Sequence, residues 1–216
     1  MRTKKLDTEN MTIYFIRHGE TDLNRQGIVQ GSGIDSELNA KGRKQARLFY
    51  EYYKNVQFDA VITSDLKRTQ QTTAPFLSEK MPHVKTPLIN EIGWGIHEGQ
   101  PRADWMTAQY VELMTAWESG NAEARLEGGE SLQELANRIL KFIDMLKTMP
   151  YQNVLVCTHG RTMVCMMTIL NGLALHEMKS YKHQNTCLYK VHYLDGEFMF
   201  EIENDTRHLG QMIGNH

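Results

Sequence analysis

Two His-Gly pairs in this chain each follow an apolar run of strand length. Arg17-His18-Gly19 comes directly after Ile13-Tyr14-Phe15-Ile16, and His159-Gly160 after Val154-Leu155-Val156-Cys157-Thr158. Side chains just past the carboxyl ends of neighbouring parallel strands converge on one crevice, the ligand site of open α/β sheets. If both runs are strands, two imidazoles meet there. A third run, Asp59–Thr63, delivers Ser64-Asp65-Leu66-Lys67-Arg68 to the same edge, so the guanidiniums of Arg17 and Arg68 join them. Guanidiniums present forked donors matched to phosphate oxygens and stay charged at neutral pH. A neutral imidazole, with an ordinary pKa of about 6.5, is a competent nucleophile toward phosphorus when such cations stabilise the arriving and departing oxygens. The residue set points to a tetrahedral dianion and to phosphoryl transfer through a covalent phosphohistidine. Gly19 and Gly160, lacking Cβ, are expected to let the backbone approach that ligand closely.

The elements that must position these groups alternate strand and helix, the order that predicts a mostly parallel sheet covered by helices. After the first strand and an irregular glycine-rich stretch, a helix is expected from about residue 40 to 54, with Asn39 as N-cap. Another begins near Leu66. Ser131-Leu132-Gln133-Glu134 is a capping box opening a helix whose apolar positions Leu132, Leu135, Ile139, Phe142, Ile143 and Leu146 keep helical spacing, and Pro150 lies just beyond its end. The strand bearing His159 leads into a helix over about residues 161–170. Asp195-Gly196, between the runs Leu188–Tyr193 and Glu197–Ile202, is a strong two-residue hairpin signal. The expected fold is a three-layer α/β/α sandwich, a mostly parallel sheet with helices on both faces and a C-terminal antiparallel hairpin. The 216 residues suit one domain, residues 1–216, with residues 1–11 as a polar N-terminal tail.

Composition removes several function classes. A formal net charge of −2 leaves no basic footprint for nucleic acid. No run approaches the roughly 18 apolar residues of a membrane span. Three cysteines without C-x-x-C spacing indicate neither a disulfide framework nor a thiolate metal site, so a cytoplasmic protein is expected. Gly93-Trp94-Gly95 followed by Gly99 has the wrong spacing for a dinucleotide fingerprint, and no Walker-type phosphate loop is present. No cofactor and no metal are expected. A lone histidine after a strand is commonly structural, and a lone arginine is commonly a solvated charge; it is their joint occurrence that argues for a site. His83, His97, His176, His183, His192, His208 and His216 lack ligand spacing and are read as surface or packing residues. Met163, Met166 and Met167 are read as packing behind His159.

The chain resembles the histidine phosphatase superfamily, whose fold is shared with cofactor-dependent phosphoglycerate mutases, over nearly its whole length. The resemblance is carried by RHGETDLN at Arg17–Asn24, QGSGIDSELNAKGRKQA at Gln30–Ala46, TSDLKRTQQT at Thr63–Thr72, NEIGWGIHEG at Asn90–Gly99, GGESLQEL at Gly128–Leu135 and VLVCTHG at Val154–Gly160. It implies His18 as nucleophile, Arg17 and Arg68 as phosphate-binding arginines, His159 as the second pocket imidazole and Glu91 as proton donor. Asn24, Gln30, Gly31 and Gly160 would add phosphate or substrate contacts. A carboxylic acid that protonates a departing alkoxide is worth about 10²–10⁴-fold in rate, and the same group, once ionised, can take a proton from attacking water.

Two positions depart from the usual pattern of the family. Glu37 stands where proline is common, and Arg161 follows His-Gly where many relatives carry a small or neutral residue. Arg161 is either an extra cation toward the pocket or an exposed charge at a helix start. Substrate choice is expected to come from the region between Glu91 and Gly128, through Trp94, Arg102, Trp105, Tyr110, Trp117 and Arg125. The implied activity is hydrolysis of a small phosphate monoester. A phosphoglycerate mutase is the alternative, and a non-catalytic phospholigand-binding module is disfavoured because nucleophile and acid are both retained. The sequence leaves a homodimer open.

Overall fold

The computed structural model describes residues 10–210. Its centre is a six-stranded sheet in the order β3-β2-β4-β1-β5-β6. The strands are β1 (Asn10–Arg17), β2 (Ala60–Thr63), β3 (His83–Lys85), β4 (Asn153–Thr158), β5 (Leu188–Leu194) and β6 (Glu197–Asp205). β1, β2, β3 and β4 pair in parallel, whereas β5 joins β1 and β6 joins β5 antiparallel. The sheet therefore matches the mostly parallel expectation with an antiparallel addition at one edge.

Strand alternation sorts side chains into two cores. Ile13 and Phe15 of β1, with Val154 and Val156 of β4, pack on α5 (Leu132–Lys147) and α6 (Gly160–Leu170). Tyr14 and Ile16, with Leu155 and Cys157, pack instead on Phe49 and Tyr53 of α2 (Ala40–Tyr53). Helices thus cover both faces, as a buried parallel sheet requires. The methionines 163, 166 and 167 are fully buried in the first core, in the packing role expected of them.

Local chemistry sets the element ends. Asn39 Oδ1 accepts from Gly42 N at 2.8 Å to cap α2. Ser131 Oγ accepts from Glu134 N at 3.1 Å while Glu134 Oε2 accepts from Ser131 N at 2.9 Å, closing the box that starts α5. Asp195 and Gly196 take φ of 52° and 89°, the pair of positive values that a primed hairpin turn needs.

Four features differ from the sequence-based expectation, the first being the short edge strand β3, which no apolar run announces. The expected polar tail gives up Asn10 and Met11 to β1, because Met11 is 3% exposed and belongs to the core; the tail's residues 1–9 lie outside the described residues. A 15-residue helix, α4 (Asp104–Glu118), occupies the span read only as a source of specificity. The glycine-rich stretch contains α1 (Asp22–Gln26), opened by a capping box between Thr21 and Asn24. The remaining helix, α3 (Lys67–Thr73), starts one residue after Leu66, its N-cap.

Candidate active site

The register of β1 against β4 pairs Ile13 with Val154 and, four steps on, Arg17 with Thr158, so the next residue of each strand is a histidine. Their ring centroids lie 5.2 Å apart. β2 runs beside β4, Thr63 opposite Cys157, and so brings Ser64 and the start of α3 to the same edge. The convergence expected from three strand ends is present.

His18 is 3% exposed, and its Nδ1 lies 2.7 Å from the Gly19 carbonyl. A carbonyl only accepts, so Nδ1 carries the proton and the lone pair of the neutral ring sits on Nε2. Burial, then the charges of Arg68 and Arg17, push the His18 pKa well below the ordinary histidine value. The ring is held neutral and nucleophilic. His159, fully buried, is likewise depressed by burial first and by Arg68 next.

Arg68 has no exposed surface. Its Nη1 donates to Ile34 O at 2.6 Å, Nη2 to Gly31 O at 3.3 Å and Nε to His159 Nδ1 at 3.1 Å. Backbone carbonyls and an imidazole, not a carboxylate, satisfy this buried cation, and burial lowers its pKa to about 10. Gly31, expected to touch phosphate, instead offers its carbonyl to Arg68 and packs against Glu98, where a Cβ would come within 1.8 Å of Oε1. Arg17 donates through Nη1 to the His183 carbonyl and faces His183 Nδ1 at 3.3 Å, while its Nε is buried without a partner. That orphan donor is suited to an anion.

Glu91 is 7% exposed and fixed by the start of α6. Its Oε1 accepts from Ile92 N, Thr162 N and Thr162 Oγ1 at 3.0–3.1 Å. Oε2 accepts only from Arg161 N, at 3.2 Å. Oε2 is therefore the oxygen with capacity to exchange a proton. Together with Arg17, Asn24, Gln30 and Gly160, Glu91 lines a cleft of about 320 Å³. Asn24 Oδ1 accepts from Thr21 N at 3.2 Å and Asn185 Nδ2 at 3.4 Å, which leaves its amide NH₂ for the cleft. Gln30 Nε2 donates to Thr21 Oγ1 at 2.8 Å, bracing the same loop.

Several assignments change. His183, read as a surface or packing residue, lines the cleft beside Arg17, and burial lowers its pKa to about 4; His97 lines the cleft as well. His216 lies outside the described residues. Gly19 faces not a ligand but α2: a Cβ on it would lie 2.7 Å from Gly42 O. Gly160 lines the cleft, and its missing Cβ leaves room for two protein side chains: a Cβ there would lie 3.0 Å from His183 Nδ1 and 3.4 Å from Arg17 Nε. Of the six specificity candidates, Trp94, Arg102 and Tyr110 reach the cleft. Trp117 is a core residue donating to Ala124 O, Trp105 is half exposed against His97, and Arg125 pairs with Glu123 and Glu134 away from the cleft. Arg161, whose two roles were open, also lines the cleft.

Sequence reasoning gave no role to Ser64 or Asn185. Ser64 Oγ lies 2.8 Å from His159 Nε2, and Asn185 Nδ2 donates to the His18 carbonyl at 3.0 Å. Neither has a local pattern that marks it. No group of three or more His, Cys, Asp or Glu among the described residues forms a potential metal cluster.

Residues 13–206 match the model of the histidine phosphatase superfamily, branch 1. The chain belongs to that superfamily. It is 30% identical, over 92% of its length and 95% of the relative's, to a Yersinia pestis protein bearing the name "Probable phosphoglycerate mutase GpmB". Among solved structures, the α-ribazole phosphatase of Shigella flexneri superposes with a TM-score of 0.80 at 28% identity, covering 90% of this chain and 96% of that one. A mycobacterial glucosyl-3-phosphoglycerate phosphatase shares the fold with a TM-score of 0.76 at 21% identity, over 91% and 100% of the two chains. Histidine phosphatases and their mutase-like relatives thus share this arrangement of strands. No helix of the described residues is long and apolar enough to cross a membrane.

Proposed function

We propose that the protein is a phosphomonoesterase acting on a small phosphorylated metabolite through a phosphohistidine on His18. The observation that carries this reading is the His18 ring: Nδ1 is anchored on the Gly19 carbonyl, so Nε2 presents its lone pair among two arginines and a second imidazole. In the first step Nε2 attacks phosphorus as the ester P–O bond breaks. Arg17 and Arg68 balance charge on the phosphoryl oxygens. Glu91 gives its proton to the departing alkoxide through Oε2. In the second step water attacks phosphorus, the P–N bond breaks, and ionised Glu91 takes the water's proton. Inorganic phosphate leaves, and His18 returns neutral.

The α-ribazole phosphatase likeness supports hydrolysis, and the GpmB relative supports a phosphoglycerate mutase as the second reading. Three buried free thiols suit a reducing compartment such as the cytoplasm. The test is a turnover screen over phosphorylated metabolites, scoring free phosphate against interconversion of 2- and 3-phosphoglycerate. Acid-labile phosphate bound to wild type and absent from His18→Ala is the expected signature of the intermediate. Isomerisation without phosphate release would favour the mutase, and binding of esters with no turnover from pH 5 to 8 would overturn both.

A further inference from the structure

Arg161 has a setting that phosphoryl transfer alone does not explain. It is the second residue of α6, and its backbone N–H holds Glu91 Oε2 at 3.2 Å. Its guanidinium lies 5.8 Å from the Trp94 ring centroid and 5.9 Å from that of Trp117, and Nη2 donates to Tyr110 Oη at 2.6 Å. Two indoles and a phenol thus fix a planar cation on the cleft wall. Among the described residues it has no carboxylate partner, and neither does Arg102 on the same wall.

The charges of the cleft do not balance around a phosphate monoester. Three arginines line it (Arg17, Arg102 and Arg161), and Glu91 is its one acidic lining residue. Arg17 and the buried Arg68 already match the two charges of a phosphate dianion. Because Glu91 Oε2 protonates the leaving oxygen, the rest of the alcohol extends from that point, and Arg161 is attached to the same oxygen through its N–H. A guanidinium backed by aromatic rings keeps its outward N–H groups for a forked contact with an oxyanion.

Resting on the phosphomonoesterase reading, we infer that Arg161 is a specificity-determining residue that binds a second anionic group, a carboxylate or a second phosphate, on the alcohol part of the substrate. The favoured esters then carry negative charge at both ends, and the aromatic wall of Trp94 and Tyr110 orients the cation for the distal one.

The test compares wild type, Arg161→Gln and Arg161→Lys on matched esters. 3-Phosphoglycerate against glycerol 3-phosphate isolates the carboxylate, and fructose 1,6-bisphosphate against fructose 6-phosphate isolates the second phosphate. In wild type the doubly anionic ester of at least one pair is expected to have the higher kcat/KM. Arg161→Gln should reduce that within-pair ratio about tenfold or more, chiefly through KM. Arg161→Lys should restore part of it, a rescue that a purely structural role would not give. Calorimetric titration of His18→Ala variants, with and without Arg161→Gln, reads the same preference without turnover. If wild type turns over no ester while the titrations retain the Arg161-dependent preference, hydrolysis fails and the anion subsite stands. A ratio unchanged by Arg161→Gln in both pairs, in kinetics and in titration, overturns the inference.

Discussion

Arg68 Nε donates to His159 Nδ1 at 3.1 Å, and this one contact fixes the tautomer of the second imidazole. A guanidinium has no acceptor, so Nδ1 holds the lone pair and the proton sits on Nε2, directed at Ser64 Oγ 2.8 Å away. Ser64 Oγ also accepts from Leu66 N at 3.1 Å and so passes its own proton to Thr69 Oγ1 at 2.8 Å, while Thr69 Oγ1 donates on to Leu66 O at 2.8 Å. A directed chain of hydrogen bonds runs from Arg68 through His159 into the start of α3.

Ser64→Ala breaks that chain and strands a buried Nε2–H. Leaving a buried donor unsatisfied costs about 1–3 kcal/mol, so the variant is expected to melt lower by that stability. Turnover should fall about tenfold as the His159 ring loses its orientation. Thermal unfolding and steady-state kinetics check both, and a variant with wild-type kcat would remove Ser64 from the positioning of His159.

Glu91→Gln tests the proton transfer. A glutamine oxygen in place of Oε1 keeps the three donors from Ile92 and Thr162, and the amide nitrogen, itself a donor, gives up only the contact with Arg161 N. The site should keep its shape and lose its acid. Alkyl phosphates are expected to slow by about 10²–10⁴-fold, whereas an activated aryl phosphate, whose leaving group needs no proton, should slow far less. Equal losses on the two ester types would exclude Glu91 as the acid.

The pH profile of kcat/KM follows from the buried groups. His18 is depressed well below the ordinary histidine value, so its neutral form persists on the acid side and no limb near pH 6.5 should belong to it. On the alkaline side Arg68, lowered to about 10, loses its proton as pH rises through that value, and capture of the phosphate dianion should weaken. A rate profile measured from pH 5 to 10.5 checks both limbs. His159 is depressed as well, so an acid limb centred near pH 6.5 that vanishes when His159 is replaced would contradict these assignments.

Stability should have its own acid dependence. His18 and His159 are depressed, and burial lowers His183 and His208 each to about 4. The unfolded chain takes up these protons near its ordinary value of 6.5, whereas the folded chain refuses them until much lower pH. Unfolding therefore becomes easier as pH falls below 6.5, and stability is fully present above it. Glu20 and Asp205 are also lowered, but from 4.5 and 3.8, so their stabilisation is lost only further down. Melting temperatures measured between pH 7 and 4.5 should drop, and a flat curve over that interval would rule this out.

How much was legible in the sequence depended on the range of the signal. β1, β4 and α5 announce themselves through apolar runs and a capping box, each within a dozen or so residues. The meeting of His18, His159 and Arg68 followed from one general rule about strand ends. α4 escaped because its apolar residues do not form one clear stripe: Met106, Leu113 and Trp117 are buried while Trp105, Tyr110 and Val111 are exposed. β3 has only three residues at a sheet edge. His183 and Asn185 reach the site by a return of the chain just before β5, a contact across more than 160 residues that no local pattern encodes.

Gly19 carries the same lesson into a measurable effect. As sequence, a glycine after a catalytic histidine suggests a ligand pressed against the backbone. In the fold, Gly19 and Gly42 cross closely: a Cβ at 19 would meet Gly42 O at 2.7 Å, and one at 42 would meet Glu20 O at 2.0 Å. Both obstacles are backbone, so neither can rotate away. Gly19→Ala is expected to force the His18 loop off α2, with a loss of about 1–3 kcal/mol. The Gly19 carbonyl that anchors His18 Nδ1 should move with it and lower kcat. Gly172→Ala is the comparison, since nothing lies within 4 Å of its Cβ position but its φ is +67°, so its cost of about 1–2 kcal/mol comes from conformation alone. Denaturant unfolding and kinetics of the two variants separate the mechanisms: both should lose stability, but only Gly19→Ala should lose turnover in proportion to displacement of the imidazole. A Gly19→Ala protein with unchanged kcat would show that the crossing with α2 does not set the position of the nucleophile.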